Sequence, residues 1–169
     1  MNPQTTILAS VALPLAAPVL LVAFRRLPDP REFVSLLTSG CLFLLVCSLY
    51  EDVLHGARPS ISLAEPIDGL TIGFEVEPLG LAFAMVASFL WLMTTIYSIG
   101  YLRSHHERNQ TRFYSFFAIA LGSTIGIAFA GNLFTLFIFY ELLTLATYPL
   151  VTHAGNSASR RSGRIYIGY

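Results

Sequence analysis

The chain has 169 residues, of which 54% are hydrophobic and only 12% are charged. Soluble domains carry about 25% charged residues, so this composition excludes an ordinary soluble domain and indicates a membrane protein. The ten basic and ten acidic side chains cancel, which excludes the basic balance of a nucleic-acid-binding protein. We therefore predict an all-α protein that crosses the lipid bilayer several times and has no nucleic-acid partner.

Five largely apolar stretches have about the length that a helix needs to cross a bilayer. In chain order they are Ile7–Phe24, Phe33–Tyr50, Leu79–Tyr101, Phe113–Ala130 and Leu133–Val151. The last two are separated only by Gly131 and Asn132, residue types that suit a tight turn. The sequence therefore predicts about five transmembrane helices.

The positions of the arginines predict the orientation of these helices. Nine of the ten arginines lie on one side of the predicted membrane, and Arg58 alone lies on the other. The nine are Arg25, Arg26, Arg31, Arg103, Arg108, Arg112, Arg160, Arg161 and Arg164. Because arginine-rich loops stay in the cytoplasm, we predict an external N-terminus and a cytoplasmic C-terminal segment. The predicted location is the inner (plasma) membrane of a cell.

The longest predicted loop, residues 51–77, shows the alternation of a β-strand twice. Apolar and small or polar residues alternate in Ser60–Leu63 and again in Leu70–Val76. Pro66, Asp68 and Gly69 between them are typical turn residues. We predict a small external β-hairpin. The acidic residues of this loop favour either a solvated surface or a funnel that gathers cations.

The predicted organisation has four parts. Residues 1–50 hold two transmembrane helices, and residues 51–77 hold the external loop with its hairpin. Residues 78–152 hold three transmembrane helices, and residues 153–169 hold a cytoplasmic loop. Because Arg164–Tyr169 resembles the first turn of another apolar helix, we expect a truncated sixth helix and a longer parent protein.

Glu141 lies near the middle of the fifth predicted span. A carboxylate at that depth costs about 2.5–3.5 kcal/mol, and such groups usually serve the movement of ions or protons. Thr144 and Tyr148 follow on the same helical face, where their hydroxyls could bond the acid or hold a short water chain. We predict that Glu141 is an intramembrane proton carrier. The alternative is a neutral glutamate that only hydrogen-bonds a neighbouring helix.

Four further residues are candidates for supporting roles. Pro149 lacks an N–H group, which predicts either a helix break that lines a cavity or the end of the helix near the membrane surface. His153 could pass protons to the cytoplasm or be a solvated side chain. Gly122 and Gly126 belong to a stripe of small residues, which predicts close packing against the fifth span. No motif predicts a catalytic, cofactor-binding or metal site, so we expect no cofactor.

Several segments together resemble the antiporter-like subunits of respiratory complex I. They are Gly73–Leu81, Ser88–Arg103 (which contains Tyr-Ser-Ile-Gly-Tyr), Arg112–Phe117 and Ala130–Leu150 (which contains Phe-Tyr-Glu-Leu-Leu-Thr-Leu-Ala-Thr-Tyr-Pro). The strongest likeness is to the D-type subunit of Mrp multisubunit cation/proton antiporters and its membrane-bound hydrogenase relatives. The resemblance covers residues 70–169 well, whereas residues 1–69 agree mainly in their two spans and loop.

This resemblance implies a larger fold and a role for Glu141. Members of the family have about fourteen helices, so the chain would be an N-terminal part of that fold. Glu141 would be the glutamate of the fifth helix, which pairs with a lysine on the seventh. The present sequence stops before a seventh helix and contains no lysine, so the lysine would come from further sequence or another chain.

We therefore predict a subunit of a proton-translocating multisubunit cation/proton antiporter. Its expected partners are other membrane subunits, the lipid bilayer and protons, with Na⁺ as an open alternative. Two other functions stay open: a non-conducting structural subunit, and a membrane-arm subunit of an NADH:quinone oxidoreductase or membrane-bound hydrogenase. Whether the assembly is an enzyme also stays open, because the chain has no evident redox site of its own.

Overall fold

The computed structural model describes residues 2–104 and 110–152. It contains long helices and one small antiparallel sheet, which confirms the predicted fold class. In chain order the elements are α1 (Pro3–Ala23), α2 (Pro28–Ser48), α3 (Tyr50–Leu54), β1 (Ser60–Ile67), β2 (Leu70–Glu75), α4 (Pro78–Ser104), α5 (Gln110–Ala128) and α6 (Leu133–Val151).

Within the described residues, four helical segments are long and apolar enough to cross a bilayer. They are Pro3–Ala23, Pro28–Leu54, Pro78–Tyr101 and Leu133–Val151. The remaining predicted span, Phe113–Ala130, falls mostly within α5, whose first turn adds Gln110, Thr111 and Arg112 to the apolar stretch. Length and composition therefore identify four of the five predicted spans, and α5 is the exception.

The starts of the helices follow from residues that suit a first turn. Pro3 and Pro28 occupy the first turns of α1 and α2, where a missing N–H group costs nothing. The Asn2 side chain also caps α1 by accepting a hydrogen bond of 3.1 Å from the Gln4 amide. Pro78 begins α4 in the same way.

Helix α5 lies at the centre of the bundle, in contact with α1, α4 and α6. Helix α2 packs against α1 and α4, whereas α6 lies at the edge, against α5 and strand β2. The buried core includes Leu42 of α2, Trp91 of α4 and Ile125 of α5. This arrangement leaves much of the surface of α6 without a neighbour among the described residues.

The hairpin has the predicted strands but a tighter turn than predicted. Ile67 pairs with Leu70, so the turn consists of Asp68 and Gly69. Gly69 has a φ of 83°, a left-handed value that favours glycine, and its N–H donates to the Glu65 carboxylate at 2.7 Å. The prediction that Pro66 is a turn residue was wrong, because Pro66 lies within β1. The pairing is irregular there, as expected where a residue has no N–H to donate.

Strand β2 is fastened to the turn between α5 and α6 by backbone hydrogen bonds. The Glu75 amide donates to the Phe129 carbonyl at 2.8 Å, and the Gly131 amide donates to the Gly73 carbonyl at 3.0 Å. A side chain at Gly131 would have its Cβ 3.3 Å from that carbonyl oxygen, so glycine permits this close approach. The turn thus lies against β2 almost as a third strand.

Asn132 strengthens the same connection with its side chain. Its Oδ1 accepts from the Thr135 amide at 2.8 Å and caps α6, and its Nδ2 donates to the Thr71 carbonyl at 2.8 Å. The buried Thr135 hydroxyl accepts from the Gly73 amide at 3.0 Å. We call these contacts among Thr71, Gly73, Gly131, Asn132 and Thr135 the hairpin latch.

Replacement of Asn132 by alanine is expected to weaken the latch. The variant loses an N-cap, which contributes about 0.5–2 kcal/mol, and a hydrogen bond that contributes about 1 kcal/mol. We expect the free energy of unfolding in detergent to fall by about 1–3 kcal/mol, together with faster hydrogen exchange at the Gly73 amide. Asn132→Ser keeps a capping oxygen and loses only the hydrogen bond that Nδ2 donates to Thr71, so it should lose only about 1 kcal/mol. Wild-type stability in Asn132→Ala would contradict this account.

Candidate functional site on helix α6

Helix α6 has two different sides. The inner side carries the buried Thr135 and Ala146, and Phe139 packs there against the core. The outer side carries large side chains that no described residue covers. These side chains are Leu133, Leu136, Phe137, Tyr140, Leu145 and Val151, all of which are exposed. We call this side the outer face of α6.

Glu141 lies on the outer face of α6, and its side chain is exposed. Its neighbours Phe137, Tyr140 and Leu145 are 58%, 56% and 67% exposed. Glu141 is the ninth of the 19 residues of α6, close to the midpoint of the helix. Within residues 2–104 and 110–152, no hydrogen bond or ion pair reaches its carboxylate. The structure thus places the acid at mid-helix, on the side of α6 that faces away from the other described residues.

Thr144 and Tyr148, the two predicted hydroxyl partners of Glu141, have different surroundings. The Thr144 hydroxyl donates to the Tyr140 carbonyl at 3.1 Å, so its proton is turned towards the helix backbone. Its oxygen keeps lone pairs that can accept a further hydrogen bond. Tyr148 is partly buried, two helical turns from Glu141. The structure therefore keeps both residues near the acid's side of the helix without a direct bond between Thr144 and Glu141.

Pro149 does not break the helix at membrane depth. Helix α6 continues through it and ends at Val151, with Thr152 as its C-cap. The Arg112 guanidinium donates to the Pro149 carbonyl at 3.2 Å and to the Thr152 hydroxyl at 3.3 Å. A cation suits this position, because the last carbonyls of a helix carry partial negative charge. His153 lies outside the described residues.

The two predicted packing glycines face two different helices. A Cβ at Gly126 would overlap the Phe139 ring of α6, so α5 and α6 pack closely there. A Cβ at Gly122 would lie 2.8 Å from the Leu15 side chain of α1. The stripe was expected to pack against the fifth span. The structure divides it between α6 and α1, because α5 is central and has neighbours on both sides.

A buried ion pair that the sequence pattern did not reveal lies within α2, and its arginine also bonds to the start of α5. Arg31 and Glu32 are only 6% and 4% exposed, and their charged groups lie 3.7 Å apart. Arg31 also donates to Gln110 and to the Thr111 hydroxyl. The sequence carries one indication of this pair, because Arg31 and Glu32 are adjacent opposite charges just before the predicted span. That span was predicted to begin at Phe33, whereas α2 begins at Pro28 and includes both charges.

The sequence has informative relatives. Residues 67–114 match the family described as the N-terminus of chain 5 of NADH-ubiquinone oxidoreductase (complex I). NADH-quinone oxidoreductase subunit N of Desulforudis audaxviator is 28% identical over 76% of this chain and 26% of that protein. Na(+)/H(+) antiporter subunit A1 of Staphylococcus aureus is 26% identical over 66% of this chain and 14% of that protein. The chain thus spans about a quarter or less of the length of these relatives.

A solved structure has the same fold. A chain of the membrane-bound sulfane sulfur reductase, an archaeal respiratory membrane complex, superposes with a TM-score of 0.72 at 21% identity. The superposition covers 89% of this chain and 23% of that one.

The fold and the long apolar helices define a multi-pass membrane protein. The matches show that the chain is similar to membrane subunits of complex I and to a Na(+)/H(+) antiporter subunit. This confirms the predicted resemblance. The stronger likeness to the D-type subunit stays a prediction.

Proposed function

We propose that the chain is part of a proton-translocating antiporter-like subunit in which Glu141 takes up and releases the transported proton. The observation that supports this most is the position of Glu141 at mid-helix on the outer face of α6. The named relatives support the class of activity, since they include a Na(+)/H(+) antiporter subunit and a quinone oxidoreductase subunit.

The exposure of Glu141 implies a covering polypeptide. Ionisable groups within a membrane almost always face protein or a water-filled cavity, because contact with lipid is costly. Apolar neighbours such as Phe137 and Leu145 cannot compensate a charge at this position. The outer face of α6 is therefore the side on which a further helix binds. By the family resemblance, that helix carries a lysine.

Such a lysine would control the protonation of Glu141. A nearby cation favours the charged carboxylate, and its withdrawal in a low-dielectric environment favours the neutral acid. Each approach and withdrawal then releases and binds one proton. The Cα atoms of Thr144 and Tyr148 follow that of Glu141 at about 4.5 Å and 10.5 Å along the helix axis, towards the predicted cytoplasmic end. The side-chain oxygens of these two residues would guide protons in steps along the outer face, with His153 as a candidate beyond them.

The chain's partners in this proposal are other membrane subunits of a complex in the inner (plasma) membrane. Protons are the transported ion, and Na⁺ would be the counter-ion if the complex is an antiporter. A second candidate assembly is the membrane arm of an oxidoreductase. The quinone oxidoreductase relative and the respiratory complex of similar fold favour it. Glu141 would have the same role in either assembly.

Infrared difference spectroscopy of the intact complex tests the role of Glu141. During turnover we expect a carboxylic-acid carbonyl band that changes with the protonation of one buried acid and is absent in Glu141→Gln. Glu51→Gln is the matched control, since Glu51 lies in α3, away from α6, and is exposed. Turnover difference spectra of the active wild-type complex that lack this band would favour the non-conducting structural subunit.

A further inference from the structure

A pocket of about 970 Å³ lies between the end of α1, the start of α2 and the first turns of α5. Four arginines contribute to its lining: Arg25, Arg26, Arg31 and Arg112. By the predicted orientation this is the cytoplasmic end of the bundle. The pocket lies at the opposite end of α5 from the hairpin latch, and Glu141 is not among its lining residues.

The charge of the pocket is positive after its acidic neighbours are counted. Glu32 pairs with Arg31 at 3.7 Å, and Asp29 lies in the exposed first turn of α2. Arg25 and Arg26 are exposed, and no described residue forms an ion pair with them. Two guanidinium groups are therefore available to an anion, beside two that are already held in place by protein contacts.

Two buried polar atoms of the pocket lining have no hydrogen-bond partner among the described residues. They are the Nε of Arg31 and the Oγ of Ser115, whose residues are only 6% and 7% exposed. Buried polar groups in folded proteins are almost always hydrogen-bonded, so an orphaned donor next to a cavity indicates a missing partner. Both residues contribute to the pocket lining, which makes a bound ligand with several acceptor oxygens a candidate for that partner.

One part of the lining is apolar and continues along α1 and α5 into the predicted membrane. It includes Pro18 and Val22 of α1 together with Phe116 and Ile119 of α5. The arginines and this apolar wall meet in one cavity, so the pocket matches a molecule with an anionic head and a hydrocarbon chain. Basic pockets at the cytoplasmic end of transmembrane helices suit anionic lipid head groups.

We propose that this pocket binds an anionic phospholipid, with its phosphate among Arg25, Arg26 and Arg31 and an acyl chain along the wall formed by Val22, Phe116 and Ile119. The phosphate accepts hydrogen bonds from the guanidinium groups and from the Ser115 hydroxyl. A free phosphate ion would make the same contacts with the arginines but has no acyl chain to pack against the apolar wall. The lipid therefore accounts for both halves of the lining.

Native mass spectrometry of the intact complex in mild detergent tests the proposal. The probes are phosphatidylglycerol, phosphatidylcholine with the same acyl chains, and inorganic phosphate. We expect preferential binding of phosphatidylglycerol. The double variant Arg25→Gln/Arg26→Gln should weaken it by about 30-fold, since each arginine near an anionic lipid surface contributes about fivefold. Ser115→Ala, which leaves the charge unchanged, should weaken it by about fivefold.

Arg58→Gln is the control for charge alone, since Arg58 lies just before β1 and pairs with Glu77 at 3.0 Å. It should change phosphatidylglycerol binding by less than about twofold. Unchanged binding in the double variant would overturn the site. An effect of the arginines without an effect of Ser115→Ala would show diffuse surface attraction and overturn the pocket. Inorganic phosphate that binds as tightly as the lipid would overturn the lipid as occupant.

Discussion

Glu141→Gln is expected to abolish coupled ion transport by the assembled complex without preventing assembly. Glutamine keeps the length and the hydrogen-bonding capacity of the side chain but cannot exchange a proton. Glu141 is exposed on the outer face of α6 and has no hydrogen bond or ion pair with the described residues, so we expect the substitution to leave that part of the chain folded. Proton flux into proteoliposomes, followed with a pH-sensitive dye, should fall to the level of vesicles without protein.

Two variants make this experiment decisive. Glu141→Asp keeps a titratable carboxyl group one methylene shorter and should retain part of the flux, because the acid can still exchange a proton. Glu51→Gln removes an exposed acid from α3 and should leave the flux unchanged. Undiminished flux in Glu141→Gln, with the chain present in normal amount in the complex, would exclude Glu141 as the carrier.

Gly126→Val is expected to lower the stability of the bundle strongly. Even the Cβ of an alanine at this position would overlap the Phe139 ring. Overpacking of a well-packed site costs about 1–3 kcal/mol, and the two further methyl groups of valine place the effect at the upper end. Denaturation in detergent should show this loss in the free energy of unfolding. Transport should also fall, because displacement of α6 moves Glu141.

Two further variants separate the steric clash at Gly126 from the low helix propensity of valine. A Cβ added at Gly40 of α2 would have no atom within 4 Å, so Gly40→Val should stay close to wild-type stability. Phe139→Ala removes the aromatic ring that a valine at position 126 would overlap. The double variant Gly126→Val/Phe139→Ala should therefore be less destabilised than the sum of its two single variants. Equal stability of Gly126→Val and Gly40→Val would contradict the close packing of α5 and α6.

Apolar runs and strand alternation were enough to predict most of the fold. Helix α6 begins and ends at the predicted residues, because Asn132 caps its start and the apolar run ends at Val151. The start of α2 was not predictable in the same way. Charged Arg31 and Glu32 read as loop residues in isolation, but a helix can include them where another helix supplies polar partners. Pro66 was misplaced because a bulge can admit a proline within an edge strand.

The candidate site was predictable only in part. The cost of a charge in the membrane identifies Glu141 from sequence alone. The side of the bundle that α6 presents to its neighbours depends on tertiary packing, so the exposure of Glu141 could not be predicted. The same holds for Arg112, which counted only towards orientation until the structure placed it against the end of α6. The hydrogen bond that the Thr144 hydroxyl donates to the Tyr140 carbonyl likewise depends on the folded geometry.

The hairpin latch has a consequence for how the protein is made. Asn132 and the strand residue that it bonds are 61 positions apart, so the ribosome has to add α4 and α5 before the strand can be secured. Until then the hairpin has only its own two strands, and isolated two-stranded hairpins are marginally stable in water. By the predicted orientation this loop is external, so we expect its stable folding to follow the insertion of α4 and α5. Only the arrival of Asn132 then secures the hairpin against the helices.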